Sequence, residues 1–405
     1  MKPIVRAGRM KPVHSDIRGP LFVEAMKRQK QGIDILKLNT GNPATFGFGL
    51  PDSIKNALME HMQDGVGYCD FKGMPQARQA ICDYETSKGI NGITSDDVFI
   101  GNGVSEVVSF ALTPLLNDGD EVLVPSPSYS LWGNSVYLED GKPVFYTCDE
   151  QANWYPDIQD IRSKITDKTK AIVIINPNNP TGVLYPKEIL LEIIQIAREF
   201  GLLIFADEIY DRLVMDGKQH ISLASLTEDV PVITLNGLSK SHCLCGYRCG
   251  WMVISGPREL TEDYRQGIIQ LTSLRLCANT MAQIVIPAAL DDMDTPASMV
   301  RPGGRIYEQR EATVRELEKI NGLSFVKNDA AFYVFPKLDV KKFNITNDKQ
   351  FAHDLLDATN ILLVPGSGFD WKDPDHFRIV MLPQADILSD AIRRMGTFLD
   401  GYKQK

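Results

Sequence analysis

Between about residues 120 and 240 the chain alternates short runs that are apolar throughout with longer stretches whose apolar residues recur every three or four positions. "DEVLVPSPSY" predicts a strand ending at Pro125, and "KPVFYTCD" predicts a second. "KAIVIINPNNPTG" predicts a third, over Ala171 to Ile175, apolar at every position as a strand covered on both faces must be. "YPKEILLEIIQIAREFG" then places Pro186 at a helix start, carries helical apolar spacing and stops at Gly201. Two further buried strands follow, Leu202 to Ala206 and Val232 to Leu235. Strand, helix, strand in that order is a βαβ unit, so the core is α/β with a parallel sheet and right-handed crossovers.

The pattern changes toward the C-terminus. "ASMVRPGGRIYEQREATVRELEKI" predicts one long charged amphipathic helix. It is followed by a strand in "AAFYVFPKL", a helix in "NDKQFAHDLLDAT", strands in "ILLVPGSGF" and "HFRIVML", and a last helix from about Asp386 to Tyr402. That succession is a smaller α+β domain with its own sheet. The expected division is 1–47 as an N-terminal arm and part of the small domain, 48–292 as a large domain, and 293–405 as the small C-terminal domain. No internal repeat or long linker interrupts it.

Composition narrows the function. The chain has 405 residues, 43 % hydrophobic and 23 % charged, as an ordinary globular protein does. A formal net charge of -9 opposes a nucleic-acid partner. The N-terminal "MKPIVRAGRMKPVHSDIRGP" lacks the apolar stretch of a signal peptide, and no run of eighteen apolar residues follows. A cytoplasmic protein with no membrane partner is expected. Seven cysteines without framework spacing point to reduced thiols. Three of them, Cys243, Cys245 and Cys249, form C-x-C-x3-C beside His242. Structural zinc wants four ligands at turn spacing, so no metal is expected and packing explains the cysteines better.

In open α/β sheets, ligands bind beyond the carboxyl ends of the strands. Three strands here end in polar residues at that edge: Asn176, Asn178 and Asn179; then Asp207 and Tyr210; then Asn236, Ser239 and Lys240. Lys240 beyond an apolar strand, with Arg248 eight residues on, suits a Schiff-base lysine beside a phosphate clamp. "FIGNGVSEVVSFAL" adds a glycine turn opening a helix, which aims backbone N–H groups and Ser105 at an anion. It matches neither the dinucleotide fingerprint nor a Walker loop.

"NPNNPTG", "ADEIYD", "SK" followed by Arg248, and "HFR" together resemble the class I, fold-type-I aminotransferases, which use pyridoxal 5'-phosphate. "IRGP", "LNTGNP" and "GYCDFKG" resemble the alanine aminotransferases within that family. The resemblance covers nearly the whole chain. It implies a large domain with a mainly parallel seven-stranded sheet, a smaller α+β domain, and a homodimer with shared active sites acting on amino acids and 2-oxo acids.

It also implies roles. Lys240 would hold the cofactor and move a proton between substrate Cα and cofactor C4′. Asp207 would face the pyridine nitrogen and keep it protonated, although an aspartate after a strand also serves as an ordinary helix cap. Tyr210, one helical turn after Asp207, would donate with Asn179 to the cofactor's phenolate oxygen, and Asn179 would also border the substrate. Tyr129 would stack on the ring, with Trp132 as a competitor. Ser105, Arg248 and the Val104 N–H would hold the phosphate. Gly237 stands where the family's Ser-x-x-Lys pattern has serine, and Ser239 is the expected substitute. Tyr68 would reach the neighbouring subunit's phosphate. Arg378 would clamp the substrate α-carboxylate, and Gly41 would let the backbone approach the substrate. Arg18, on a mobile arm, is the candidate for the side-chain carboxylate of glutamate.

The expected reaction is alanine plus 2-oxoglutarate to pyruvate plus glutamate. A carbon–sulfur β-lyase or an aminotransferase of other specificity would carry the same cofactor residues. A non-catalytic sensor normally adds a DNA-binding region, which this sequence lacks.

Overall fold

A computed structural model describes residues 2–405. Eight strands join in one sheet: Val98–Asn102 (β1), Glu121–Ser126 (β2), Lys142–Asp149 (β3), Tyr155–Pro156 (β4), Thr169–Ile175 (β5), Leu203–Asp207 (β6), Val232–Gly237 (β7) and Cys249–Ser255 (β8). Their order is β1-β8-β7-β6-β5-β2-β3-β4. β8 runs antiparallel to both neighbours, and the other principal strands share one direction. β4 is only a two-residue antiparallel edge on β3, so the seven expected strands carry the sheet.

The continuous apolar runs follow from two covered faces. In β5, Ile172 and Ile174 pack with one buried cluster, while Ala171, Val173 and Ile175 pack with another. The second cluster takes in Val107, Val108 and Ala111 of the helix Val104–Leu112 (α1). The first takes in Leu190, Ile193 and Ile194 of Lys187–Phe200 (α2), which ends at Gly201 in the left-handed region, φ 65°. From Ala171 to Ile175 the side chains thus alternate between two cores, leaving no position there for a polar side chain.

Strand order places the site. The chain adds β6 and β7 on one side of β5, and β3 and β4 on the far side of β2. The loops leaving β2 and β5 therefore part at their carboxyl ends and leave a crevice between them.

A second core surrounds Phe377–Val380, which pairs antiparallel with Tyr333–Val334 on one side and Val364–Pro365 on the other. Helices Asp348–Thr359 (α4) and Ala385–Asp400 (α5), with the end of Arg305–Leu317 (α3), supply nearly half of its buried apolar side chains. The N-terminal segment joins this core. Leu36–Lys37 pairs in parallel with Ile361–Leu362, and Leu38 is fully buried there. Among the described residues no single helix is long and apolar enough to cross a membrane.

Two expected elements differ. The long helix over residues 297–320 is broken into Asp294–Val300 and α3. Between them Pro302 offers no N–H and Gly303 has φ +82°. A side chain at Gly304 would lie 2.3 Å from the Ser298 carbonyl oxygen, so the chain turns sharply. The strand in "AAFYVFPKL" is interrupted at Pro336, leaving Tyr333–Val334 and Lys337–Leu338 as separate two-residue strands.

The break turns Arg310 of α3 inward, fully buried, where it holds Asp216 with two hydrogen bonds of 2.7 Å. Asp216 lies in the turn from Met215 to Lys218, six residues after Tyr210, so this pair fastens the segment leaving the site to the second core. Arg310→Ala is expected to cost about 3 kcal/mol in urea unfolding, because it strands a partly buried carboxylate beside a cavity.

Candidate active site

At the end of β6, Asp207 is buried with both oxygens only lightly engaged. Trp132 Nε1 donates to Oδ2 at 3.1 Å, and the Ile209 N–H donates to Oδ1 at 3.4 Å. No cation forms an ion pair with it among the described residues. Burial pushes its pKa up to about 6, against the ordinary 3.8, and the Trp132 bond pulls only partly the other way. Tyr210 does not lie one helical turn further on. The chain leaves β6 through non-helical turns, closed by Asp211 N–H to Glu208 O and Leu213 N–H to Tyr210 O. The Tyr210 hydroxyl lies 3.0 Å from that of Tyr333.

At the end of β5 the asparagines divide their work. Asn176 Oδ1 accepts the Tyr185 N–H, and Asn178 Oδ1 accepts the Thr181 N–H and hydroxyl. Both are spent on building the turn. Asn179 alone reaches across, its Oδ1 accepting from Arg378 Nη1 at 2.9 Å. Arg378 also donates from Nη2 to the Asn39 carbonyl, and lies between the rings of Tyr333 and Phe369 at 4.5 and 4.6 Å. Its Nε has no partner and no carboxylate pairs with it among the described residues. Burial draws its pKa below that of an ordinary guanidinium.

At the end of β7, Asn236 points away from the crevice. Its amide donates to Asp211, which also accepts from Tyr84 and Lys88, so Asn236 belongs to a buried network behind the site. Lys240 faces forward instead. Its Nζ donates to the Gly41 carbonyl at 3.1 Å and lies 5.8 Å from the Phe332 ring. Ser239 is half-buried beside it. Gly41 has a different reason from the expected one: a Cβ there would sit 2.4 Å from the Tyr333 hydroxyl, so glycine makes room for Tyr333.

Arg248 and the start of α1 share one small space. A Cβ on Gly103, φ +85°, would lie 2.3 Å from Arg248 Nη2, and a Cβ on Gly250 would lie 2.4 Å from the Val104 nitrogen. Ser105 is exposed on the first turn of α1. The absent serine at 237 has a steric cause. A side chain there would meet the Cys249 carbonyl oxygen at 2.5 Å, because β7 and β8 pass too closely.

Tyr129 is part-exposed in the turn after β2, and Tyr68 is 84 % exposed. Arg18 is exposed and makes no side-chain hydrogen bond or ion pair among the described residues, but its arm is tethered rather than loose. The His14 backbone exchanges two hydrogen bonds with the Asn134 side-chain amide, the His14 ring pairs with Asp370, and the Ile17 carbonyl accepts from Asn39. The three cysteines diverge. Burial pushes Cys243 and Cys249 up to about 12, and Cys245 reaches Asn42. Thiols held protonated are poor metal ligands and nucleophiles.

Two residues escape a reading by motif: Trp132, which holds Asp207 rather than competing for the ring face, and Tyr333. Each is a buried aromatic with one polar atom that must find a partner, and that requirement is the signal available in the sequence. The assembled donors fit pyridoxal phosphate. A glycine-walled cradle beside a helix N-terminus and an arginine suits the phosphate, a buried lone carboxylate suits a protonated ring nitrogen, and the free edge of Arg378 suits a carboxylate.

The family described as aminotransferase class I and II matches residues 33–392. Glutamate-pyruvate aminotransferase AlaA of Haemophilus influenzae is 50 % identical over 404 residues, covering 100 % of both chains. Alanine aminotransferase of Mycobacterium tuberculosis is 45 % identical over 100 % of this chain and 94 % of its own. A crystal structure of an aminotransferase from Escherichia coli superposes with TM-score 0.98 at 47 % identity over 100 % of both chains.

The buried carboxylate makes a pH prediction for the ligand-free protein. Asp207 holds its proton more tightly folded than unfolded, so its contribution to stability is complete below about pH 4 and is lost as pH rises through about 6. Asp207→Asn, free of cofactor, should melt higher than the parent at about pH 8, and the advantage should vanish near pH 4 in thermal melts.

Proposed function

The chain belongs to the class I and II aminotransferases, a family that uses pyridoxal phosphate, and we propose that it exchanges the amino group between alanine and 2-oxoglutarate, yielding pyruvate and glutamate. The observation that carries this reading is the loop Asn39–Gly41. Its first carbonyl accepts from Arg378 and its last from Lys240. Two residues of chain span at most about 7 Å, the scale of an amino acid's backbone. An α-carboxylate held at Arg378 brings the adjacent Cα within reach of Lys240. The names and end-to-end similarity of the relatives support the substrate pair.

When bound, pyridoxal phosphate supplies a ring that withdraws the electrons left on Cα as its proton departs. The chain's part is to place and hold. Arg248, the Val104 N–H, Ser105 and Ser239 would hold the phosphate; Tyr129 would cover one ring face; Asn179 and Tyr210 would donate to the ring oxygen. Asp207 keeps the ring nitrogen protonated, because a buried anion without another cation is relieved by a proton on its partner. Lys240 would take the Cα proton as general base and return it at cofactor C4′. The two half-reactions share one site, so the kinetics are ping-pong.

Arg18 recognises the side-chain carboxylate of glutamate in this reading, since it is a free cation on a tethered arm whose Ile17 is bonded to Asn39. The enzyme is a homodimer. Tyr68 reaches the partner's phosphate, and the exposed Val66, Tyr68, Leu274 and Leu276 form the apolar surface that the second copy covers. Residues 48–292 make the cofactor-binding domain, with 1–47 and 293–405 forming the arm and small domain.

The test is to add alanine, glutamate and cystathionine separately to cofactor-loaded protein and follow absorbance and products. Alanine and glutamate should each convert the cofactor to its amine form. Loss of that conversion, with pyruvate and ammonia released from cystathionine, would make the protein a β-lyase instead. Lys240→Ala should lower kcat about 10³-fold or more. Arg378→Lys should raise KM about 10- to 100-fold for every substrate, having lost one charge-assisted bond. Arg18→Ala should raise KM for glutamate and 2-oxoglutarate about 10-fold while sparing alanine and pyruvate; equal weakening of all four would remove Arg18 from side-chain recognition.

A further inference from the structure

Tyr333 touches both Tyr210 and Arg378, yet no motif points to it. It is 2 % exposed on the short strand beside Phe377–Val380, in register with Val380. Its ring face lies 4.5 Å from the Arg378 guanidinium, and its edge meets the Tyr210 ring at 5.7 Å and 83°. Its hydroxyl lies 3.0 Å from the Tyr210 hydroxyl and fills the space that a side chain at position 41 would need. The backbone is bent to put it there. Ala331 has φ +59°, a left-handed conformation that a non-glycine residue adopts at a cost, and its N–H is held by the Leu213 carbonyl.

Two phenols in contact have two protons and one shared hydrogen bond. Whichever oxygen accepts keeps its own proton for a third group, and becomes the stronger donor because accepting polarises its O–H bond. The Tyr333 oxygen is walled in by Gly41 and Phe332, whereas Tyr210 follows Asp207 at the crevice floor. The productive direction is therefore from Tyr333 to Tyr210.

We propose that Tyr333 is a positioning residue that donates its hydroxyl proton to Tyr210, turning the Tyr210 O–H toward the cofactor's ring oxygen, while its ring braces Arg378 in the orientation that receives the substrate carboxylate. This rests on the reading of Tyr210 and Arg378 given above. One side chain then couples the cofactor's protonation state to the carboxylate clamp. Burial pushes the Tyr210 phenol upward, which keeps it a donor at neutral pH.

The two functions separate by substitution. Tyr333→Phe keeps the ring and removes the hydroxyl. In cofactor-loaded protein it should raise the pH midpoint of the visible-absorbance change by about half a unit, since weaker donation to the ring oxygen favours the protonated form, with KM changed less than twofold. Tyr333→Leu removes the brace as well, and should raise KM for amino and oxo acids alike about tenfold. Thermal melts of both variants verify folding. Tyr210→Phe is the control: if the parent shows no titration, or Tyr210→Phe leaves it unmoved, the reading of the site itself fails. If Tyr210→Phe moves the midpoint and Tyr333→Phe does not, the relay alone is overturned. If Tyr333→Leu keeps the parent KM, the brace is overturned.

Discussion

Two buried charges of opposite sign, neither with an ionic partner among the described residues, organise this molecule. Asp207 lies at the end of β6 with one indole and one distant amide for company, and Arg378 lies across the crevice among two rings, an asparagine and a carbonyl. Removing either from water without a counter-charge costs several kcal/mol. A fold keeps such groups when something else completes them. In the function proposed above, a cationic ring nitrogen completes Asp207 and a carboxylate completes Arg378.

The rest of the architecture holds those charges apart at the correct spacing. Strands buried on both faces carry few polar residues before they end, Thr234 of β7 being an exception, so β5, β6 and β7 deliver Asn179, Asp207 and Lys240 to one edge. The second core then brings Arg378 to that edge from outside, and the loop Asn39–Gly41 ties the lysine and the arginine to carbonyls two residues apart. Close approach is bought with glycine throughout: Gly41 admits Tyr333, Gly103 admits Arg248, and Gly237 and Gly250 let β7, β8 and α1 pass.

The large sheet was legible because its apolar runs are long and its turns are marked by glycine and proline. The second core was less so. Its strands are two to four residues long, too short for periodicity, and Pro302 with Gly303 and Gly304 cuts a helix that its apolar spacing alone would continue. At the site, residues carried by compact motifs were named from the sequence. Asn236 was grouped with them, although its amide turns into the network around Asp211, because spacing along a strand does not say which way the last side chain points. Trp132 and Tyr333 act through single polar atoms on aromatic rings, and only the folded chain reveals where those atoms land.

The central claim is that Asp207 is an anion completed by a proton on the cofactor's ring nitrogen. The most direct measurement is the ¹⁵N chemical shift of that nitrogen in protein loaded with ring-labelled pyridoxal phosphate, at about pH 8. A pyridinium shift that persists there, and collapses in Asp207→Asn, is predicted. An unprotonated nitrogen in the parent would contradict the account, since the buried carboxylate would then have no partner.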